Sequence, residues 1–390
     1  MPIVNRVADL LPDIISWRRD IHAHPELGFD VNRTAALVAE RLREFGCDQV
    51  VMGVGKTGVV GVIRGKMAAH NNKGSVIGLR ADMDALTIEE ATDLPYSSKS
   101  KGLMHACGHD GHTAMLLGAA RYLAETRNFA GTAVVIFEPA EEVGTGAQAM
   151  IEDGLMERFG IEEVYGMHNW PGLPIGVFGI RCGPMTAGTD GIEITVKGRG
   201  GHPGTPHQCV DAILVVSQLV VAIQQILAQN VDPLEPAGIS FHELQSGSPQ
   251  RIVPEAALLR GSMRTLSQEV REFLKKRIGE VVAGIALVTG AAIELVIESS
   301  DALTFNQTAQ TEFALQAAKL VVGDHNIIEP PPVMGGEDFG YMAKERPGTY
   351  VFVGNGDSAG LHHANYNFDD EAISYGTSFW IKLVESRLAG

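Results

Sequence analysis

A short apolar run is followed closely by two adjacent carboxylates in the segment Ala133-Val134-Val135-Ile136-Phe137-Glu138-Pro139-Ala140-Glu141-Glu142. A run of this length that ends near a proline is typical of a buried strand. Buried strands of this kind belong to largely parallel sheets covered by helices, and ligands collect beyond the carboxyl ends of their strands. The segment therefore predicts an α/β fold with Glu141 and Glu142 at the functional edge of the sheet.

Strands and helices alternate on both sides of this segment. Val76–Leu79 predicts a buried strand shortly before Asp84, and Val164–Met167 predicts a strand that delivers His168. Between them, the apolar residues of Thr113–Glu125 recur at helical spacing. This alternation predicts a mixed, largely parallel sheet flanked by helices. Because the carboxyl ends of parallel strands share one edge, we expect the polar residues after these strands to meet.

The middle of the chain follows a different pattern. From about residue 191 the predicted order is strand, helix, strand, strand, helix, strand, which is a ferredoxin-like split. A chain of 390 residues is also long enough for two domains. We predict that 186–299 is an inserted α+β domain. The segments 1–185 and 300–390 then form the domain that holds the carboxylates.

Composition excludes several classes of partner. The net charge of −16 argues against nucleic acid or an anionic membrane. The four cysteines are widely spaced without a CxxC pair, which favours a reducing, cytoplasmic location. No signal peptide is visible near the N-terminus, and polar residues interrupt the apolar stretch Ala212–Ala228, which predicts a packed helix.

Met104–His112 packs a thiol, three imidazoles and a carboxylate into nine residues where a helix begins. Thiolate and imidazole favour zinc, while carboxylates also admit manganese, cobalt or nickel. Two ions about 3.5–4 Å apart need several protein ligands. Glu141 and Glu142 should point in opposite directions, so one could bind metal while the other deprotonates water. The candidate donors are Cys107, His109, Glu141, Glu142, His168 and the pair His362-His363.

Other interpretations of these residues stay open. Asp84 could cap a helix or orient a ligating imidazole. Cys107 could be a nucleophile with a histidine as its base. The protein could also bind a metal or ligand without catalysis. The remaining histidines of the N-terminal region are expected to pack or to support the ligands: His22, His24, His105 and His112.

Several motifs occur together in a fixed order along nearly the whole chain. They are Arg80-Ala-Asp-Met-Asp-Ala-Leu86, His105-Ala-Cys-Gly-His-Asp-Gly-His112, Pro139-Ala-Glu-Glu142, Gly166-Met-His168, Gly200-Gly-His202 and Gly336-Glu-Asp-Phe339. With these motifs the sequence resembles the hippurate hydrolase and N-acyl-amino-acid amidohydrolase family. That family is a branch of the aminoacylase and carboxypeptidase metallopeptidases, which includes the plant auxin-conjugate hydrolases.

The resemblance implies a catalytic domain of zinc-peptidase type with two divalent ions. It implies amide hydrolysis of N-acyl amino acids, or of dipeptides, by a water between the ions with Glu141 as general base. The inserted domain would be a lid that mediates dimerisation, and its His202 would polarise the scissile carbonyl. The implied metal ligands are Cys107, His109, Glu142, His168 and His362, and the implied substrate contacts are Asn306 and Arg264.

The sequence departs from the family pattern at three places. Glu138 stands where the family often has glutamine, and Arg251 replaces a usual asparagine. His363-Ala364 follows His362 in place of the common Ser-Pro or His-Pro, so the choice between His362 and His363 as ligand stays open.

Overall fold

The computed structural model describes residues 4–68 and 75–390. The chain forms two compact units, each with its own hydrophobic core. The first unit takes in the residues up to Met185, Thr304–Pro331 and Asp338–Gly390, and the second takes in Thr186–Leu303 and Pro332–Glu337. The predicted insertion, 186–299, lies within the second unit, which extends a few residues further and adds the short segment Pro332–Glu337.

The first unit is built from helices and strands that alternate along the chain. Its helices are α1 (Asn5–His22), α2 (Asn32–Glu44), α3 (His109–Thr126), α4 (Gly146–Glu152), α5 (Leu155–Phe159), α8 (Thr308–Val322), α9 (Phe339–Glu345) and α10 (Glu371–Arg387). Its strands are β1 (Gln49–Val54), β2 (Gly58–Arg64), β3 (Val76–Asp82), β4 (Thr132–Glu138), β5 (Glu163–Trp170), β6 (Phe178–Gly179), β7 (Gly183–Thr186), β12 (Thr304–Asn306), β13 (Ile327–Ile328) and β14 (Gly348–Gly354).

Eight of these strands form one mixed sheet in the order β1-β2-β4-β3-β5-β14-β6-β13. The four central strands, β4, β3, β5 and β14, run parallel. Nearly every residue of these strands is buried, because helices cover a parallel sheet on both faces. The predicted fold class is confirmed. The sequence interpretation left α1, α2, β1 and β2 unassigned.

The second unit has the elements β8 (Gly188–Lys197), α6 (Ala212–Asn230), β9 (Ala237–Ser246), β10 (Ala256–Thr265), α7 (Gln268–Thr289) and β11 (Ala292–Asp301). Its four strands form an antiparallel sheet in the order β11-β8-β10-β9. Alternate residues of β8 are buried against the two helices, as expected of a sheet with one covered face. The β-α-β-β-α-β order agrees with the ferredoxin-like prediction.

Helix α6 is long and apolar enough to cross a membrane by length and composition alone. In the structure, Val215, Leu219 and Ile223 belong to the buried core of the second unit. A third of the apolar window of α6 is buried. None of the four cysteines, all of which lie in the described part of the chain, forms a disulfide.

Candidate metal centre

Four neighbouring strand ends bring the candidate side chains together. Strand β3 ends just before Asp84, β4 ends just before Glu141 and Glu142, and β5 carries His168 near its end. The loop after β14 carries His362. These strands are parallel and adjacent, so their carboxyl ends lie at one edge of the sheet, as the sequence predicted.

Two groups of donor atoms share the thiol of Cys107. In the first group, the donor atoms of Cys107, His109 and His168 lie within 4.8 Å of one another. In the second, Cys107 lies within the same limit of Glu142 and His362. Within the first group, Cys107 Sγ lies 3.3 Å from His168 Nε2. One thiolate between two three-donor groups is an arrangement that can hold two metal ions.

Helix α3 fixes the position of the shared thiol. Cys107 is buried in the turn that precedes the first residue of α3. Gly108 lies between them with φ of 89°, a backbone conformation that glycine adopts without steric cost. The helix N-terminus favours negative charge, and so favours the thiolate over the thiol.

Asp84 joins the paired glutamates to His109. Its Oδ1 and Oδ2 accept hydrogen bonds from the backbone N–H groups of Glu141 and Glu142, at 3.1 and 3.2 Å. Asp84 Oδ1 also lies 3.5 Å from His109 Nδ1. This leaves Nε2 of His109 facing the carboxylates of Glu141 and Glu142, at 3.8 and 3.7 Å. An aspartate in this place is suited to orienting the ligating imidazole.

Two non-glycine residues at the site have a left-handed backbone. Ala140, directly before the paired glutamates, has φ of 57°, and His362 has φ of 61°. Such conformations cost about 1–2 kcal/mol each and persist where the surrounding structure enforces them. His362 N donates to Ala106 O at 2.8 Å, which ties its loop to the turn before α3. The neighbouring ring of His363 accepts instead from Asn365 N at 3.1 Å and is absent from both donor groups.

The donor set fits divalent cations. Both ring nitrogens of His109 and Oε1 of Glu142 are buried without a hydrogen-bond partner. Burial lowers the pKa of His109, but Asp82, Asp84 and Glu142 outweigh it and raise the pKa to about 10. Burial raises the pKa of Glu142 to about 7, with Asp84 and Asp82 adding to it and His109 opposing it. Buried polar atoms without partners inside an excess of carboxylates are what bound cations would satisfy.

The hydrogen bonds of the other imidazoles separate donors from supporting residues. His168 Nδ1 donates to Asn169 O at 2.6 Å, which leaves Nε2 available, and burial lowers the pKa of His168 well below its usual value. His112 Nε2 accepts from Asn169 N at 2.9 Å, and His112 Nδ1 donates to Asp82 Oδ1 at 2.7 Å. Both nitrogens of His112 are therefore occupied. His105 is buried outside the donor groups, and burial lowers its pKa to about 3.

Three further predicted residues belong to neither donor group. The Asn306 amide is fully buried and binds the backbone of Arg181 and Tyr350, which does not support a substrate contact. Arg264 and His202 lie in the second unit. Arg264 donates to Met334 O at 2.7 Å, and His202 lies in an exposed loop where its Nδ1 accepts from Gly204 N at 3.0 Å.

Comparisons with known proteins identify the family. The model of peptidase family M20/M25/M40 matches residues 78–386. The chain belongs to this family. A hippurate hydrolase from Campylobacter jejuni is 40% identical over 98% of both chains, and an N-acetylcysteine deacetylase from Bacillus subtilis is 34% identical over 95% of both. A solved dinuclear metal-binding peptidase of the M20 family from Bacillus subtilis is 32% identical, with a TM-score of 0.85 over 98% of this chain and 99% of the other.

In this M20/M25/M40 amidohydrolase, a buried arginine, Arg80, supports the residues around the donors. The sequence analysis did not single out this arginine. The Arg80 guanidinium donates to Glu138, Asp82 and Asp338 at 2.6, 2.8 and 3.1 Å, and all four side chains are fully buried. Asp82 in turn holds His112. The available signal was the occurrence of Arg80 and Asp82 within a buried strand, because charged side chains are rarely buried without partners of opposite charge. Glu138, the departure from the usual glutamine, is thus an ion-pair partner of Arg80.

Proposed function

We propose that the protein hydrolyses the amide bond of N-acyl amino acids, with two divalent cations held by Cys107, His109, Glu142, His168 and His362. The observation that carries the proposal is the pair of donor groups that share Cys107 beside an additional carboxylate, Glu141. Relatives named hippurate hydrolase, N-acetylcysteine deacetylase and N-acetyldiaminopimelate deacetylase support this substrate class.

Glu141 is the proposed general base. When bound, the two cations would polarise the amide carbonyl and make water nucleophilic at neutral pH. Glu141 accepts the proton of the attacking water as the carbon–oxygen bond forms, and gives it to the nitrogen as the carbon–nitrogen bond breaks. Its side chain is only 11% exposed and lies beside His109, so it faces the donors. His202 is proposed to stabilise the developing oxyanion.

A mixed set of thiolate, imidazole and carboxylate donors accepts manganese, zinc, cobalt or nickel. We propose that the resident ions come from these four, since each is stable as a divalent ion and hydrolysis needs no change of oxidation state. A location in the reducing cytoplasm fits the four thiols.

A second candidate is peptidase activity on dipeptides. A thermostable carboxypeptidase from Saccharolobus solfataricus is 39% identical over 95% of this chain and 94% of its own. The chemistry at the amide is the same. The two candidates differ only in whether the group on the nitrogen is a simple acyl group or an aminoacyl group. A panel of N-acetyl and N-benzoyl amino acids beside dipeptides, with released amine as readout, separates them.

The Glu141→Gln variant tests the mechanism. The amide cannot take a proton from water, so we expect kcat to fall by about 10²–10⁴ while two metal ions per chain remain bound. The measurements are steady-state hydrolysis of N-acyl amino acids and metal content by mass spectrometry. Near-wild-type turnover in this variant would remove Glu141 from the mechanism.

In a rival mechanism, Cys107 is the nucleophile and His168 its base, because Sγ and Nε2 are 3.3 Å apart. Chelation separates the two mechanisms. The thiol hydrolase would keep its activity after prolonged chelation. The metal enzyme would lose activity and regain it on addition of manganese or zinc.

We also propose that the protein is a homodimer joined through the second unit. Helix α6 leaves apolar side chains in solvent on the face turned away from its own core: Ile213, Leu214 and Val221 are 44%, 59% and 70% exposed. Its opposite face packs in that core, so α6 cannot span a bilayer without unfolding its unit. A second copy of the chain is the occupant that covers this face and leaves the fold intact.

A further inference from the structure

Asn169 lies at the end of β5, directly after His168, and is fully buried. The pairing of β5 with β3 stops at Gly166, whereas its pairing with β14 continues to Trp170. Beyond Gly166, where pairing with β3 has ended, the backbone N–H and C=O of Asn169 form hydrogen bonds with two imidazoles. Its N–H donates to His112 Nε2 at 2.9 Å, and its C=O accepts from His168 Nδ1 at 2.6 Å. The second bond turns Nε2 of His168 towards Cys107.

The side chain of Asn169 reaches the turn that holds the shared thiol. Its Nδ2 donates to the backbone C=O of Cys107 at 2.7 Å, and its Oδ1 accepts from the hydroxyl of Tyr366 at 2.8 Å. A carbonyl oxygen can only accept, so these partners fix which side of the amide faces Cys107. All four polar groups of the residue are used, two of them on candidate metal donors.

The turn before α3 is shaped around this amide. A Cβ at Gly108 would lie 2.3 Å from Asn169 Nδ2 and 2.4 Å from the Tyr366 hydroxyl. Gly108 also needs its positive φ of 89°. Glycine at this position thus lets the Cys107 carbonyl approach the buried amide, a contact that any larger residue would displace.

We propose that Asn169 is a positioning residue that sets the geometry of Cys107 and His168 as metal donors, with Tyr366 holding the amide in place. This inference rests on the proposed metal centre. Partners that orient metal ligands typically contribute about 10–100-fold to metal affinity. Asn169 holds two donors of one group, His168 and Cys107, and the thiol of Cys107 is common to both groups, so loss of Asn169 should weaken the whole centre.

Cobalt(II) reports on this geometry, because a thiolate bound to cobalt absorbs light by charge transfer. Asn169→Asp keeps the size of the side chain and an acceptor for Tyr366, but it cannot donate to Cys107 when ionised. For this variant and for Asn169→Ala we expect about 10–100-fold weaker cobalt binding and an altered thiolate absorption. Tyr366→Phe, which removes only the hydroxyl, should show a smaller change in the same direction.

Asn355→Ala is the matched control. Asn355 is also buried, follows the neighbouring strand β14, and binds two backbone groups, Asn367 O and Asp369 N. We expect it to lower thermal stability yet keep wild-type cobalt affinity and absorption. Equal losses in the Asn355 and Asn169 variants, or wild-type cobalt binding in both Asn169 variants, would overturn the inference. No thiolate absorption in cobalt-loaded wild-type protein would instead refute the metal centre itself.

Discussion

At the residue scale, the environment of each cysteine decides whether it can bind metal. Cys107 precedes a helix N-terminus, where negative charge is favoured, and its sulfur lies 3.3 Å from His168 Nε2. Cys47 is a contrasting case, because it belongs to no group of candidate donors among the described residues and burial raises the pKa of its thiol to about 12. A thiol of that kind behaves as a small apolar side chain. The sequence placed Cys107 among the candidate donors because it lies in the cluster of thiol and imidazoles where a helix begins, and the structure groups it with the other donors.

Substitutions of the donors should separate shared from unshared ligands. Cys107→Ala removes a donor from both groups, so we expect weaker binding of both ions, by more than the roughly 10–100-fold that loss of a supporting partner costs. His362→Ala removes a donor from one group and should lower metal content towards one ion per chain. Cys47→Ala is the control and should keep two. Metal analysis after dialysis at defined free metal decides the point, and two tightly bound ions in Cys107→Ala would contradict the shared thiolate.

At the element scale, local patterns predicted the strand ends, and the sequence also favoured His109 over His105 and His112 as a donor. The contacts that enforce this choice appear only in the structure. The apolar runs before Asp84, Glu141 and His168 give β3, β4 and β5, and their parallel order follows from the alternation with helices. Which histidine of His105–His112 binds metal depends on partners distant in sequence. Asp82 and Asn169 occupy both nitrogens of His112, and no local pattern announces those contacts. Helix α1 was harder to predict because it carries Pro12 in its interior, and a proline there ordinarily ends or kinks a helix.

An ion pair between elements of the second unit should make its stability depend on pH. Asp190 on β8 is buried, and Arg271 on α7 donates to both of its carboxylate oxygens, at 2.6 and 3.0 Å. Burial raises the pKa of Asp190, but hydrogen bonds from Arg271, Lys275 and Ser299 outweigh it, so the pKa lies below its usual value. The pair therefore stabilises the folded state fully above about pH 4, where an unfolded aspartate is ionised, and this contribution disappears as the pH falls through the lower folded pKa.

Asp190→Asn should cost roughly 3–5 kcal/mol at neutral pH, because it leaves the Arg271 charge buried without its partner. The loss of stability on acidification below pH 4 should be smaller in the variant than in wild type. Urea unfolding followed across pH 2–7 measures both effects. Ser299→Ala is a milder control, since it removes one hydrogen bond to Asp190 and keeps the ion pair. If the free energy of unfolding fell equally with decreasing pH in wild type and Asp190→Asn, the ion pair would not be the cause of the loss of stability in acid.

At the scale of the whole molecule, the candidate metal donors and the exposed apolar helix face belong to different units, each with its own hydrophobic core. The first unit carries all the candidate donors at one sheet edge. The second unit carries no member of the two groups that share Cys107, yet its helix α6 leaves several apolar side chains exposed. A sheet with helices on one face, and apolar residues left on the outside of a helix, is suited to association. The proposed dimer thus follows from the inserted unit and not from the unit that holds the donors.

Val221→Glu tests that assembly. Val221 is 70% exposed, so a charge there leaves the core of the second unit untouched. In a dimer interface, however, that charge would lose its hydration. We therefore expect the variant to dissociate at concentrations where the wild type is dimeric. Sedimentation velocity over a range of protein concentrations gives the mass. Leu234→Glu is the control, since Leu234 is 89% exposed in the loop after α6 and off its apolar face. A monomeric wild type would refute the dimer, and co-sedimentation of that monomer with phosphatidylcholine–phosphatidylglycerol vesicles would assign the exposed face of α6 to a lipid surface instead.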